Sequence, residues 1–212
     1  NKAPFVAHIQ QMADWSKSGI FKYGGRQSDS MPLFYTQECA MVMESSAGFA
    51  GIKENMKGID IGVSQLPYDD TLVQKPANTI IGGASLWVMS GRPDAEYDGV
   101  AKFFTYLSSP EVQADWHQAT GYLPVTKAAY ALTQQQGFYQ KNPGADTAIL
   151  QMTTSEPTAN SKGLRFGNFL QTREIVDEEL EKVWSGKQSA QVALDNAVKR
   201  GNEQLRRFER TQ

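Results

Sequence analysis

Cysteine and histidine are nearly absent from this 212-residue chain, which has one cysteine, Cys39, and two histidines, His8 and His117. A single thiol cannot close a disulfide within the chain, and its setting in the apolar run CAMVM predicts a buried, inert side chain. Two histidines far apart in sequence are too little material for a His/Cys metal site, so neither a metal nor another cofactor is expected. No apolar run approaches the roughly 18 residues that a membrane helix needs. Charge of either sign is also not in excess: 21 Lys and Arg against 23 Asp and Glu leave a net charge of -2. That balance excludes both a basic nucleic-acid footprint and an acidic solvating tail, and leaves a small molecule or a protein as partner. The opening NKAPFVAHIQ has neither an initiator methionine nor the charged-then-apolar layout of a signal peptide, so a processed product or a fragment is expected.

What is present is patterned. Phe5, Val6, Ile9, Met12 and Ala13 recur at helical spacing before the stop signal Gly19, and a short helix is predicted from Met31 to Gln37. CAMVME then reads as a buried strand, SSAGFAGIKENMKG as a helix closing at Gly58, and DIGVSQLP as another strand. Strand, helix and strand in that order make a βαβ unit, whose ligands collect at the carboxyl ends of the strands. Ser45 and Ser46 fall at that place. One serine suffices to cap a helix, so the pair is either ordinary capping or the floor of an anion site.

YDDTLVQKPAN reads as a loop, and TIIGGASLWVMS as a strand interrupted by Gly82 and Gly83, either a bulge or a close approach of ligand or backbone. From Pro93 onward nearly continuous helix is predicted, ending in FGNFLQTREIVDEELEKVWSG and SAQVALDNAVKRGNEQLRRFER. On the first of these two helices Arg173 shares a face with Phe169, Val176, Leu180 and Val183. An arginine in an apolar stripe must snorkel outward, pair internally or meet a ligand anion. Arg165 is a weaker candidate for the same task. Tyr122 follows a helix-stopping glycine, as a packing plug or a contact, and Trp15, Trp87, Trp116 and Trp184 are expected in the core. The nucleophile elbow, the phosphate-binding P-loop and the dinucleotide fingerprint are all missing, and no histidine accompanies Glu44 and Ser45, so no enzyme is expected.

The succession CAMVMESSAGF, IDIGVSQLPYDD and NTIIGGASLWVMSG, followed by AKFFTYLSSPEVQADWHQATGYLPVTKAAY, resembles the bacterial extracellular solute-binding proteins, the family that includes the maltose-binding protein. The chain is similar, end to end, to the later half of such proteins. The resemblance implies an α/β fold of two lobes joined by a hinge. Residues 1–76 then belong to the C-terminal lobe, 77–123 to a return segment in the N-terminal lobe, and 124–212 to the closing helices of the C-terminal lobe. It also implies Ser46, Gly83, Tyr122 and Arg173 as ligand contacts, with the remaining contacts outside this sequence. SSAGF, GGASLW, TGYLPV and LQTREIVDEELEKVWSG are most similar to members that capture sn-glycerol 3-phosphate, and possible glycerophosphodiester ligands follow from the same likeness. The expected setting is the periplasm, with an ABC importer's membrane permease as partner and a monomer at full length. Rival readings are an oligosaccharide-binding member of the same family, a phosphodiesterase using Glu44, and a helical module that binds proteins.

Overall fold

Helices supply the regular structure of the computed structural model, which describes residues 1–159 and 161–211. In chain order they are α1 (Ala3–Lys17), α2 (Met31–Tyr35), a 3-10 turn (Ser46–Gly48), α3 (Phe49–Asn55), α4 (Asp94–Leu107), α5 (Pro110–Thr120), α6 (Lys127–Gln135), α7 (Phe138–Lys141), α8 (Thr147–Met152), α9 (Phe169–Trp184) and α10 (Ala190–Glu209). Two units form: Asn1–Val42 with Leu164–Gln212, and Met43–Gly163.

The first unit is built on the hairpin of α9 and α10. Gly186, at φ 72°, takes the left-handed turn that ends α9, and its N–H donates to the Val183 carbonyl at 2.9 Å. Ser189 then caps α10, its hydroxyl accepting from the Val192 N–H at 3.3 Å. Ala190, Ala193, Ala197 and Gly201 form the buried face of α10. Small side chains permit close approach: a Cβ on Gly201 would stand 3.3 Å from the Thr172 methyl on α9. Ala13 of α1 joins Val183 and Ala193 in the core, with Ile9 and Trp184 packed against them.

A buried carboxylate crosses that hairpin. Glu179 is 2% exposed. Its oxygens accept from Lys182 Nζ (2.8 Å), Gln188 Nε2 (2.8 Å), Asn196 Nδ2 (3.3 Å) and Arg200 Nη1 (2.7 Å). Burial alone pushes its carboxyl up, but these four donors outweigh burial and hold it at about 2. On the same helix Arg26 grips Glu181 with two bonds of 2.6 and 2.7 Å, and Tyr23 donates to it at 2.8 Å. Hydrogen bonds from Arg26 and then Tyr23 hold the Glu181 carboxyl at about 2 as well.

In the second unit α5 and α6 pack together, burying Ala114, His117, Ala129 and Thr133. Thr126 caps α6 by accepting from Ala129 N–H at 3.1 Å. Among the described residues CAMVME, DIGVSQLP and TIIGGASLWVMS, each expected as a strand, form none, so the regular structure present is helical and not α/β. A strand is defined by a ladder of backbone bonds to a neighbour, and among the described residues none of these runs has one. Side-chain amides substitute locally. Asn78 makes paired bonds with the Ser155 backbone at 2.5 and 2.7 Å, and Gln151 accepts from the Leu66 N–H at 2.7 Å. The apolar side chains that a sheet would bury stay in water, with Met41 88% and Trp87 87% exposed. Trp116 and Trp15 are exposed too, so only Trp184 among the four tryptophans packs against a core cluster. Cys39 is half-buried rather than buried.

Acid should loosen the first unit before the rest of the chain. Glu179 and Glu181 have folded-state values near 2 against an ordinary 4.5, so their contribution is complete above 4.5 and is lost as pH falls towards 2. Unfolding followed against pH should show stability declining across that window, with a shallower decline in Glu179→Gln. Replacing the carboxylate by Glu179→Ala should cost about 2 kcal/mol, below the range for a fully buried pair because Lys182 and Arg200 keep access to water.

Candidate functional site

The two serines of VMESSAGF divide their tasks. Ser45 is the cap: its hydroxyl accepts from the Ala47 N–H at 3.3 Å, and its carbonyl accepts from the Gly48 N–H at 2.9 Å. Glu44 turns back to accept from the Ser45 N–H at 2.7 Å, and its methylenes lie against Gly48, where a Cβ would meet Glu44 Cγ at 2.7 Å. Glu44 is therefore engaged in closing the turn. Ser46 is half-buried, and its hydroxyl has no partner among the described residues.

Gly121 brings Tyr122 to this turn. At φ 77° it ends α5 in the left-handed conformation, with its N–H bonded to the His117 carbonyl at 2.9 Å. A Cβ there would stand 2.8 Å from the Ser46 carbonyl oxygen, closer than real Cβ contacts allow. The absent side chain thus sets the distance between the α5 terminus and the Ser46 turn. Tyr122 follows with its N–H on the Thr120 hydroxyl at 3.2 Å and its side chain 50% exposed. Its phenolic hydroxyl has no partner among the described residues. Ser46 and Tyr122 therefore share one wall, each with an uncommitted hydroxyl.

The other two predicted contacts are Gly83 and Arg173. Gly83 has φ 127°, lies in an exposed segment of the same unit, and has nothing within 4 Å of where a Cβ would be. Its conformation accords with glycine's freedom rather than with crowding. Arg173 belongs to the first unit and is exposed, its guanidinium carbon 5.9 Å from the centre of the Phe169 ring. No carboxylate of the described residues pairs with it. The choice between snorkelling and internal pairing is thus resolved: the buried face of α9 carries Ile175, Glu179 and Val183, and Arg173 lies off it. Arg165 also has no ionic partner among the described residues and lies exposed in the loop before α9.

A buried histidine behind Tyr122 escaped the sequence reading, which weighed His117 as a metal ligand and as a partner for a serine nucleophile. Its Nδ1 bonds to the Tyr122 carbonyl, and its Nε2 meets the Tyr139 hydroxyl at 2.9 Å. The available signal was local, a histidine in the last turn of a helix that stops at TGY. Among the described residues no group of His, Cys, Asp and Glu is arranged to hold a metal, and no helix is long and apolar enough to cross a membrane.

Residues 1–147 match the family described as "Bacterial extracellular solute-binding protein". The chain belongs to that family. It is 54% identical over 211 residues, its whole length, to the sn-glycerol-3-phosphate-binding periplasmic protein UgpB of Escherichia coli (strain K12), and equally to the proteins of that name from Shigella flexneri and Shigella dysenteriae serotype 1 (strain Sd197). The chain spans about half, 48%, of the length of each of these curated relatives.

The close approach at Gly121 has a direct consequence. Gly121→Ala should destabilise by about 2 kcal/mol or more, because a left-handed alanine costs roughly 1–2 kcal/mol before any clash with a backbone oxygen. Gly62→Ala, in open space, should stay within about 0.5 kcal/mol of the parent in the same denaturant titration.

Proposed function

We propose that the chain is part of the substrate-binding component of an ABC importer, which captures sn-glycerol 3-phosphate reversibly and delivers it to a membrane permease in the periplasm. The observation that carries this reading is 54% identity along the entire chain to proteins named for binding that compound. The chemistry of the exposed groups is in keeping with it. Arg173 supplies a full positive charge in a planar fork suited to phosphate oxygens, and each charge-assisted bond contributes roughly 1.5–3 kcal/mol. Ser46 adds a hydroxyl that capping does not consume, and Tyr122 adds a phenol that donates to phosphate or glycerol oxygens. Gly83 lets backbone approach the ligand without a side chain intervening. No bond is made or broken, so the protein is a carrier and not an enzyme, and glycerophosphodiesters are accepted where the cleft leaves the second ester group room.

The same reading assigns the fold. The full-length protein is two-lobed α/β and monomeric, with residues 1–76 and 124–212 in the C-terminal lobe and 77–123 returning to the N-terminal lobe. In that protein CAMVME, DIGVSQLP and TIIGGASLWVMS enter sheets as strands. This accounts for apolar side chains such as Ile81, Trp87 and Met89, which lie exposed in the chain described. Closure of the lobes around ligand changes the surface offered to the permease.

Titration calorimetry of the full-length protein with sn-glycerol 3-phosphate tests the reading. Arg173→Ala should weaken binding by well over threefold, the factor corresponding to about 0.7 kcal/mol, and raising salt should weaken the parent more than the variant. Ser46→Ala should weaken binding without lowering the melting temperature. Affinity for maltodextrin in place of sn-glycerol 3-phosphate would establish the oligosaccharide reading instead.

A further inference from the structure

His117 is the largest fully buried side chain and, at 2% exposure, has no route to ligand. Both ring nitrogens are nevertheless engaged, on opposite sides of the ring. The Tyr122 carbonyl can only accept, so Nδ1 must carry the proton and donate to it. In the neutral ring Nε2 is then an acceptor and takes the Tyr139 hydroxyl proton at 2.9 Å. Tyr139 is suited to remain a donor, since burial first, then the neighbouring Tyr130 and Asp146, push its phenol up. Rings enclose the imidazole as well, with Phe138 edge-on at 5.7 Å and Tyr139 tilted at 5.7 Å between centroids. The ring orientation is therefore determined from three sides.

The groups gripped by this ring are those that aim Tyr122. Gly121 N–H returns to the His117 carbonyl, the Tyr122 N–H to Thr120 Oγ1, and the Tyr122 carbonyl to His117 Nδ1. With the nitrogen and the carbonyl of Tyr122 both held, the backbone at Tyr122 is fixed, and with it the origin of its side chain, one residue beyond the glycine that lies against the Ser46 carbonyl. We propose that His117, braced by Tyr139, is a positioning residue for ligand capture: it fixes the Tyr122 carbonyl and thereby the point from which the Tyr122 side chain leaves the turn. This rests on Tyr122 being a ligand contact.

The test is a double-mutant cycle in the full-length protein, with sn-glycerol 3-phosphate affinity read by calorimetry and folding by thermal melting. His117→Leu should weaken binding roughly tenfold, the effect of one lost hydrogen bond with a buried acceptor left unpaired. His117→Asn, whose amide keeps a donor near the Nδ1 position, should restore most of that loss. In a Tyr122→Ala background the His117→Leu effect should vanish, since nothing remains to be aimed. A full tenfold loss persisting in that background, or unchanged affinity in His117→Leu while Tyr122→Ala weakens binding, overturns the positioning role alone. Unchanged affinity in Tyr122→Ala overturns the assignment of Tyr122 and the positioning role with it. Should His117→Leu fail to fold, Tyr139→Phe carries the cycle: it keeps the imidazole but releases its brace. About threefold weaker binding that disappears in the Tyr122→Ala background supports the role, and no change overturns it.

Discussion

The close approach of the Gly121 backbone to the carbonyl of Ser46, which leaves no room for a Cβ, is the constraint from which the candidate wall follows. It requires a residue that tolerates the left-handed region and also lacks a Cβ, and only glycine meets both demands. Once that contact is made, the end of α5 lies against the turn that opens α3. Tyr122 then stands beside Ser46, although 76 positions in the sequence separate their numbers. His117 holds the far side of the same turn from within the core. Helix termination, close packing and a buried hydrogen bond thus converge on three consecutive residues, Thr120 to Tyr122.

The first unit solves a different problem. A carboxylate at the centre of a helix hairpin is unfavourable by itself, and Glu179 persists there because α9 and α10 and the loop joining them each supply a donor. The alanine face of α10 makes the arrangement possible, since bulkier side chains would hold the helices too far apart for Arg200 and Asn196 to reach. Arg173 lies one turn and a half from this network on α9 and takes no part in it. Its positive charge is left to the Phe169 ring and to solvent, a setting that keeps the guanidinium available to an anion.

Much of the helical structure was legible from spacing and punctuation. The α1 bounds follow the recurrence of Phe5, Ile9 and Ala13, α5 starts at Pro110 and stops at Gly121, and α9 and α10 fall within the two closing patterns. The strands were not legible in the same way. CAMVME and TIIGGASLWVMS have strand composition, but composition states only what a segment tolerates, and a ladder needs a second backbone beside it. The wheel on α9 erred for a related reason. It grouped Arg173 with Phe169 and Val183 by angle, whereas burial followed the face that meets α10, through Ile175, Glu179 and Val183.

By itself, the sequence determined most of the helices and their stops, the family, and the residue types able to meet a phosphate ester. These depend on short-range chemistry and on patterns that survive being read one residue at a time. Only the tertiary structure decided that Ser45 caps while Ser46 stays free, that Glu44 closes a turn, and that His117 faces Tyr122 and Tyr139. Each of those outcomes turns on which hydrogen-bonding group reaches a given atom first, and that order is set by packing in three dimensions.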